Sequence, residues 1–369
     1  MQKVAVLFGG NSCENEISIL TGVFTLNVLD RTKYDVIPVY IHTDGGMYTA
    51  ESMRDITVFK DGRYAGFQRV FFDGGSLYAL YGAKKKIKHL GKIDGAINCC
   101  HGGLGEGGGV SALMEWNGIP LASPGVLPSA VFMDKCATKK MLRALHIPIV
   151  DYLCIHETDY IKRGAFMIKS VESRLKYPVV VKPSKLGSSI GIGVAHDEKQ
   201  LKTALDVAFT LDRQVLVEKY LEDKKDVNCA VCRLHGEVCV AEPETSFGAG
   251  VYSFDEKYVK REKDTKRVGV DGLNEDTAHR IKAYAKSVYK RTGMSGVVRM
   301  DFLVAGGEVY LCEVNTVPGS LAYYFFCERV FEAKTFFGDL IDEAIANAKA
   351  ERKPIITTGI LRNVKTRKK

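Results

Sequence analysis

Residues 296–319 read GVVRMDFLVAGGEVYLCEVNTVPG, and they decide the fold class because they spell a β-hairpin with a polar cluster set into apolar strands. Val297, Val298, Phe302, Leu303 and Val304 lead up to Gly306-Gly307, a pair suited to a tight turn, and Val309, Tyr310 and Leu311 lead away. With residues 306–308 as the loop, Asp301 lies opposite Glu313 and Arg299 opposite Asn315. Side chains alternate along a strand, so all four share one sheet face, with opposed Cβ atoms about 5 Å apart. A slip of one residue would scatter them. Two opposed carboxylates repel unless a cation neutralises them, and hard oxygen ligands with an amide suit Mg²⁺, which also favours phosphate oxygens. An exposed face with cross-strand charge pairing is the plainer alternative; acids opposed inside such apolar strands rank it second.

Upstream, the apolar strand PVVV ends in Lys182 and runs into PSKLGSSIGIG (183–193). Gly187 and Gly191 allow close approach of a ligand, and Ser188 and Ser189 add hydroxyls to backbone N–H donors, which suits phosphate oxygens. No GxxxxGK[ST] occurs, so this is not a P-loop, and an ordinary Gly/Ser turn is the competing reading. Residues 103–108 fit G-x-G-x-x-G between a strand and a helix. The match is weak as a dinucleotide motif, because its surroundings are also glycine-rich and it does not follow the first strand. An anion site at the start of the 110–117 helix survives, and a dehydrogenase is the least favoured function. Locally, Glu14 reads as an acid at a helix start and His101 as a strand-end histidine.

The chain has 369 residues and 46% hydrophobic content, enough for two or three domains. No apolar run reaches the roughly 20 residues of a membrane span, and the N-terminus opens on a strand-like VAVLF rather than a signal peptide, which favours a cytoplasmic location. Ten cysteines lie mostly in apolar runs without paired zinc spacing and are expected as buried, reduced thiols. Cys229 and Cys232 sit at an odd offset on a strand, which points them to opposite faces and discounts a redox pair. The net charge is +8, but residues 349–369 carry eight Lys/Arg against Glu351, so the rest is close to neutral. A solvated basic tail explains this best, and no nucleic-acid module is present.

Strands at 3–8, 35–41 and 93–100 separated by helical segments, the first opening near an N-cap at Ser12, predict an α/β unit with a largely parallel sheet. A helix at 134–146, a strand at 178–182, a helix at 197–209 and a strand at 215–218 make a second unit. Hairpin strands at 227–234 and 237–242, a helix at 274–291 and the 296–319 hairpin make a third. The boundaries fall near 122 and 218. The expected domains are 1–122, 123–218 and 219–369, the last carrying the basic tail 349–369.

VLFGGNSCENEIS (6–18), HGGLGEGGG (101–109), FMDKCATK (132–139), VVVKPSKLGSSIGI (179–192), VLVEKYLE (215–222), DEKY (255–258) and VRMDF…LCEVNTVPG (298–319) together resemble D-alanine–D-alanine ligases of the ATP-grasp superfamily. The resemblance covers all but the segments near 42–90 and 350–369. It implies an α/β (α+β) ATP-grasp fold of three domains, with ATP between two antiparallel sheets and a parallel-sheet N-terminal domain. The implied reaction is ATP-dependent joining of two D-amino acids through an acylphosphate, for peptidoglycan precursor synthesis and cell-wall biogenesis. Two Mg²⁺ ions, for which Mn²⁺ can stand in, would be held by Asp301, Glu313 and Asn315. Arg299 and the Gly319 backbone would stabilise the oxyanion, and Glu14, Ser188 and Tyr258 would form a hydrogen-bonded chain positioning the amino acids. Ile17, His101 and Tyr324 would line the substrate site. Lys135, Lys182, Ser189 and Lys257 would hold ATP phosphates, and Glu218, Leu221 and Asp226 the adenosine. The family resemblance suggests a homodimer without nucleic-acid or membrane partners.

Two departures stand out. Gly107, Ser111 and Ala112 replace the Asp, Gln and Gly of the family's HGxxGEDGxxQG loop, and Tyr324 falls where the family has the Ser that holds the acceptor's carboxylate. Tyr258 resembles the tyrosine of the family's peptide-forming members rather than the phenylalanine associated with D-lactate acceptors, so an amine acceptor is expected, and the altered residues after Gly319 leave its identity open, D-alanine or another such as D-serine. A non-catalytic nucleotide-binding regulator is the alternative from a different class.

Overall fold

The computed structural model describes residues 1–60, 62, 64, 66–82, 86–245, 273–350 and 358–360. Lys257 and Tyr258, and the basic tail beyond Ala350 apart from 358–360, lie outside the described residues.

The N-terminal unit is built on a seven-stranded sheet of β1 (Gln2–Gly9), β2 (Tyr34–Ile41), β3 (Met47–Thr49), β4 (Gln68–Asp73), β5 (Ser76–Tyr81), β6 (Lys86–Lys92) and β7 (Gly95–Asn98), in the order β6-β5-β4-β3-β2-β1-β7. Only β2, β1 and β7 run parallel, and β3 to β6 extend the sheet as antiparallel neighbours. The expected parallel sheet is thus mixed. The strand expected third is the seventh, because the segment before it supplies a meander whose Gly74-Gly75 turn sits between QRVFFD and SLYALY. β1 is buried along residues 4–9 because α1 (Asn15–Val28) covers one face and Val110 and Met114 of the helix after the glycine loop cover the other. Ser12 does not cap α1; Glu14 takes the N-cap position without a side-chain cap bond, and the Ser12 hydroxyl donates to the His101 carbonyl at 2.6 Å. The same hydroxyl accepts from Glu14 N–H at 3.2 Å, so it serves the start of the helix and the tertiary contact at once.

After α2 (Thr57–Lys60), α3 (Val110–Trp116) and α4 (Val126–Met133) comes α5 (Lys135–Ala144), whose N-cap Asp134 accepts from Ala137 N–H at 3.0 Å. β8 (Tyr152–His156), α6 (Glu157–Leu175), β9 (Val179–Pro183), β10 (Gly193–Ala195), α7 (Glu198–Phe209) and β11 (Gln214–Lys219) follow, with the four strands antiparallel in the order β10-β9-β11-β8. The third sheet holds β12 (Lys225–Leu234), β13 (Glu237–Val240), β14 (Glu244–Thr245), β15 (Val297–Ala305) and β16 (Glu308–Asn315), with α8 (Glu275–Arg291) packed on it. α9 (Ala333–Ala350) crosses back to the N-terminal sheet, where Tyr34 Oη donates to the Asp342 carboxylate at 2.8 Å and Lys33 pairs with Asp342 at 2.5 Å.

Cys229 lies in the core between α8 and the third sheet, while Cys232 lies in the core shared with α9, so the odd offset does send them to different faces. The expectation of buried thiols needs correction at Cys13, which is exposed, and at Cys154, Cys239 and Cys312, which are half-buried.

Candidate active site

The β15–β16 hairpin turns on Gly306-Gly307 alone, with Ala305 opposite Glu308, rather than on a three-residue loop. A two-residue turn would set Asp301 out of line with Glu313. A register shift between Asp301 and Phe302 restores it, so that Asp301 pairs with Glu313 and Arg299 with Asn315 as the sequence suggested. One added residue on β16 re-aims the side chains next to the site, a usual task of a β-bulge. Arg299 grips Asp301 through Nε at 2.8 Å and a terminal nitrogen at 2.9 Å, and the Asn315 amide donates to Asp301 at 3.0 Å. Glu313 faces the Lys135 ammonium at 3.4 Å. Each opposed carboxylate therefore has a cationic neighbour, which meets the requirement that adjacent acids impose. The donor set of two carboxylates and an amide oxygen fits a hard divalent cation. Asn228, across the other edge of β15 and opposite Asp301, adds an amide that sequence reading missed.

Glu14 meets this hairpin from the end of β1. Its carboxylate accepts from the Ser188 hydroxyl, joining residues far apart in sequence. Two glycines make room for it: a Cβ at Gly102 would sit 2.6 Å, and one at Gly187 2.5 Å, from a Glu14 oxygen. Ser188 and Ser189 both adopt positive φ, +52° and +59°, in the tight loop that brings Gly187 against Glu14. A cavity of about 260 Å³ opens between these elements and is lined by Glu14, Ile17, His101, Lys135, Arg299, Glu313, Asn315, Gly319 and Tyr324. Nine residues singled out from sequence thus surround one space. His101 is buried; desolvation lowers its pKa to about 4, against the Val317 backbone acceptor that raises it, so the ring is neutral at pH 7. Its Nε2 lies 2.8 Å from the Thr21 hydroxyl, which also accepts from Ser320 N–H at 3.2 Å.

Lys182 and Glu218 lie beside this cavity rather than lining it. Glu218 receives Lys182 at 2.5 Å and the fully buried Lys139 at 2.6 Å, while Lys182 approaches Cys312 of β16 at 3.7 Å. Lys139 reaches from α5 and ties the second sheet to the third, with the Leu311 carbonyl at 3.4 Å. Sequence reading passed over it, although its place four residues after Lys135 puts it on the same helix face. Leu221 is half-buried two residues beyond β11. Asp226 pairs with Lys224 at 2.5 Å and shares the β12 face of Asn228 without reaching the cavity lining. Glu106 is a further residue the sequence did not flag. It lines the cavity, and burial raises its carboxyl to about 7 while backbone donors from Gly102 and Val317 pull it back.

Burial would raise the Glu218 carboxyl, but Lys139 and Lys182 outweigh it and hold it at about 2, against an ordinary value of 4.5. A depressed carboxylate stabilises the fold above the unfolded pKa, and the contribution fades as pH falls from 4.5 toward 2. The gap corresponds to roughly 3 kcal/mol. Between pH 5 and 2.5 the unaltered chain is expected to lose stability more steeply than Glu218→Gln in parallel urea titrations; equal slopes would exclude Glu218 as the source.

Comparison with known proteins gives one answer. Residues 3–124 match the D-ala D-ala ligase N-terminus family and residues 141–346 the D-ala D-ala ligase C-terminus family. The chain is 33% identical to a D-alanine–D-alanine ligase of Thermosipho melanesiensis over 98% of its length and 99% of the relative's. It is also 33% identical to one of Caldicellulosiruptor bescii, covering 94% of each. Among solved structures, the D-alanine–D-alanine ligase of Helicobacter pylori superposes with a TM-score of 0.74 at 26% identity, covering 94% of this chain and 98% of that one. The VanG D-Ala:D-Ser ligase of Enterococcus faecalis gives 0.75 at 26%, covering 94% and 99%. Two antiparallel sheets facing across a lysine-rich cleft, joined to an α/β unit, make this the ATP-grasp fold of carboxylate–amine ligases. The chain belongs to the D-alanine–D-alanine ligase family.

Proposed function

We propose that the chain joins two D-alanine molecules into the dipeptide at the expense of ATP, supplying a peptidoglycan precursor. The observation that carries this reading is the single cavity in which Glu14, backed by Ser188, shares the lining with Arg299, Glu313, Asn315 and Gly319, with Asp301 behind Arg299. The carboxylate of the first D-alanine takes the γ-phosphoryl group of ATP, and the amine of the second attacks the acylphosphate and expels phosphate. Glu14 holds the ammonium of the first amino acid. Arg299, anchored by Asp301, and Gly319 N–H stabilise the oxyanion that forms on attack. Lys135, Lys182, Ser189 and Lys257 bind ATP phosphates; Glu218, Leu221 and Asp226 take the adenosine part. Asp301, Glu313 and Asn315 would hold two Mg²⁺ ions, or Mn²⁺ in their place, which would neutralise negative charge on the phosphoryl group being transferred. Tyr258 completes the chain with Glu14 and Ser188, and Ile17, His101 and Tyr324 bound the amino acids.

The three domains are taken as 1–122, 123–218 and 219–369, working as a homodimer in the cytoplasm. Among the described residues no helix is long and apolar enough to cross a membrane.

The acceptor is where a second reading has an observation behind it. Ser320, Leu321 and Ala322 all take positive φ, near +50°, before Tyr324, which lines the cavity together with Arg299. A phenol beside the catalytic arginine, in place of a serine, alters the volume and hydrogen bonding offered to the second amino acid. Incubation with ATP, Mg²⁺ and D-alanine alone, or D-alanine paired with D-serine, should release phosphate with D-alanyl-D-alanine as the main product by mass. Turnover only with the D-serine pair would move the assignment to a D-Ala:D-Ser ligase; nucleotide binding without turnover of any pair would leave a regulator.

A further inference from the structure

Glu106 is a buried carboxylate that the reaction above leaves without a task. It stands on a widened single helical turn, Gly105–Gly109, inside the glycine-rich loop and is 9% exposed. Both oxygens are committed to backbone. One accepts from Gly102 N–H at 2.8 Å. The other accepts from Thr316 N–H at 3.1 Å, Val317 N–H at 3.2 Å and the Thr316 hydroxyl at 3.3 Å. A carboxylate has about four acceptor sites, so three N–H groups and a hydroxyl use its full capacity. These contacts join two segments 210 residues apart. On the loop side Gly102 follows His101, and on the hairpin side Thr316 follows Asn315 and leads through Val317 and Pro318 to Gly319. His101 leans on the same stretch through the Val317 backbone, and Thr21 links His101 to Ser320.

We infer that Glu106 is a positioning residue: its carboxylate clamps the glycine-rich loop to the Thr316–Val317 backbone and so fixes His101 and Gly319 around the amino-acid end of the cavity. The inference rests on the ligase reading for its substrate and on the geometry alone for the clamp. Among the described residues no hydrogen bond or ion pair joins Glu106 to Lys135, Lys182 or Glu218, so the effect is expected at the amino-acid end. Glu106→Gln keeps the shape but carries a single carbonyl oxygen. Held to Thr316 and Val317, it turns an amide N–H₂ toward Gly102 N–H, donor against donor, and the loop side of the clamp opens.

Two measurements on the full chain test this. In steady-state kinetics Glu106→Gln should raise KM for D-alanine by about tenfold or more while KM for ATP stays within about twofold, the size expected when a bond to a charged group is lost. Hydrogen exchange should quicken by about tenfold at residues 101–109, where the Gly102 bond is lost, and should match the unaltered chain at 315–320 and elsewhere. Glu106→Asp, which keeps the charge but is one methylene shorter, should fall between the two. Unchanged exchange at residues 101–109, or KM values for ATP and D-alanine rising together with a lowered melting temperature, would overturn the clamp. Failure of the unaltered chain to turn over D-alanine would instead sink the ligase reading, and the exchange data would still decide the clamp.

Discussion

Glu313→Gln is expected to lower turnover at saturating ATP and D-alanine by at least about a thousandfold, which corresponds to about 4 kcal/mol of lost transition-state stabilisation. The side chain keeps its shape and loses only its charge. Phosphoryl transfer to a carboxylate crowds anions together, and positive charge at this face is what makes that approach tolerable. In the free protein Glu313 is balanced by Lys135 at 3.4 Å, while Asp301, its partner across the hairpin, is already held by two bonds from Arg299. Because Asp301 already anchors Arg299, the neutral analogue of Glu313 is the cleaner test. Asp301→Asn would also release Arg299 and confound metal binding with oxyanion stabilisation. Phosphate release measured across a range of Mg²⁺ concentrations reads the outcome, with the melting temperature as a control. Residual activity recovered in part at high Mg²⁺ would support ligation by Glu313. Turnover within tenfold of the unaltered chain would show that the hairpin acids do not hold the metal.

Lys139→Met is the second large effect, and it falls on stability. Lys139 is fully buried with its ammonium 2.6 Å from Glu218, whose other oxygen meets Lys182. Removing one partner of a buried pair costs about 3–5 kcal/mol, because the remaining charge stays desolvated. Lys182 still neutralises part of Glu218, which puts the expected loss at the lower end, about 3 kcal/mol. A double-mutant cycle with Glu218→Gln should return a coupling of comparable size, since each single replacement strands the other's charge. Urea unfolding of the four proteins measures it. Additive losses would mean that the two residues contribute independently and that the ion pair is not what joins the second sheet to the third.

Much of the fold was legible because its signals are local. Asp134, Asp197 and Asn274 each accept from the backbone N–H three residues on, and each helix begins where that chemistry begins. The paired glycines at 306–307 located the hairpin, and those at 74–75, between alternating strands, carried the same signal for the β4–β5 hairpin that sequence reading did not take up. What stayed hidden depended on distant partners. Ser12 had the spelling of a helix start and its hydroxyl does accept from Glu14 N–H, but its bond to the His101 carbonyl, 89 residues away, had no local signal. The pairing of Asp301 with Glu313 came out right from a loop one residue too long, because a bulge near Cys312 adds back the residue that the tighter turn removes.

The sequence by itself determined the chemistry this chain carries: opposed acids with an arginine and an amide on one hairpin face, a glycine–serine loop after a lysine, and an acid at the first helix. Those are set by periodicity, turn residues and spacing, which act over a few residues. Only the tertiary structure decided that Lys139 and Glu106 belong to the same machinery. A lysine on a helix and a glutamate in a glycine loop are ordinary surface residues until folding removes their water, and only then do Glu218 in one case and the Gly102, Thr316 and Val317 backbone in the other become their obligatory partners.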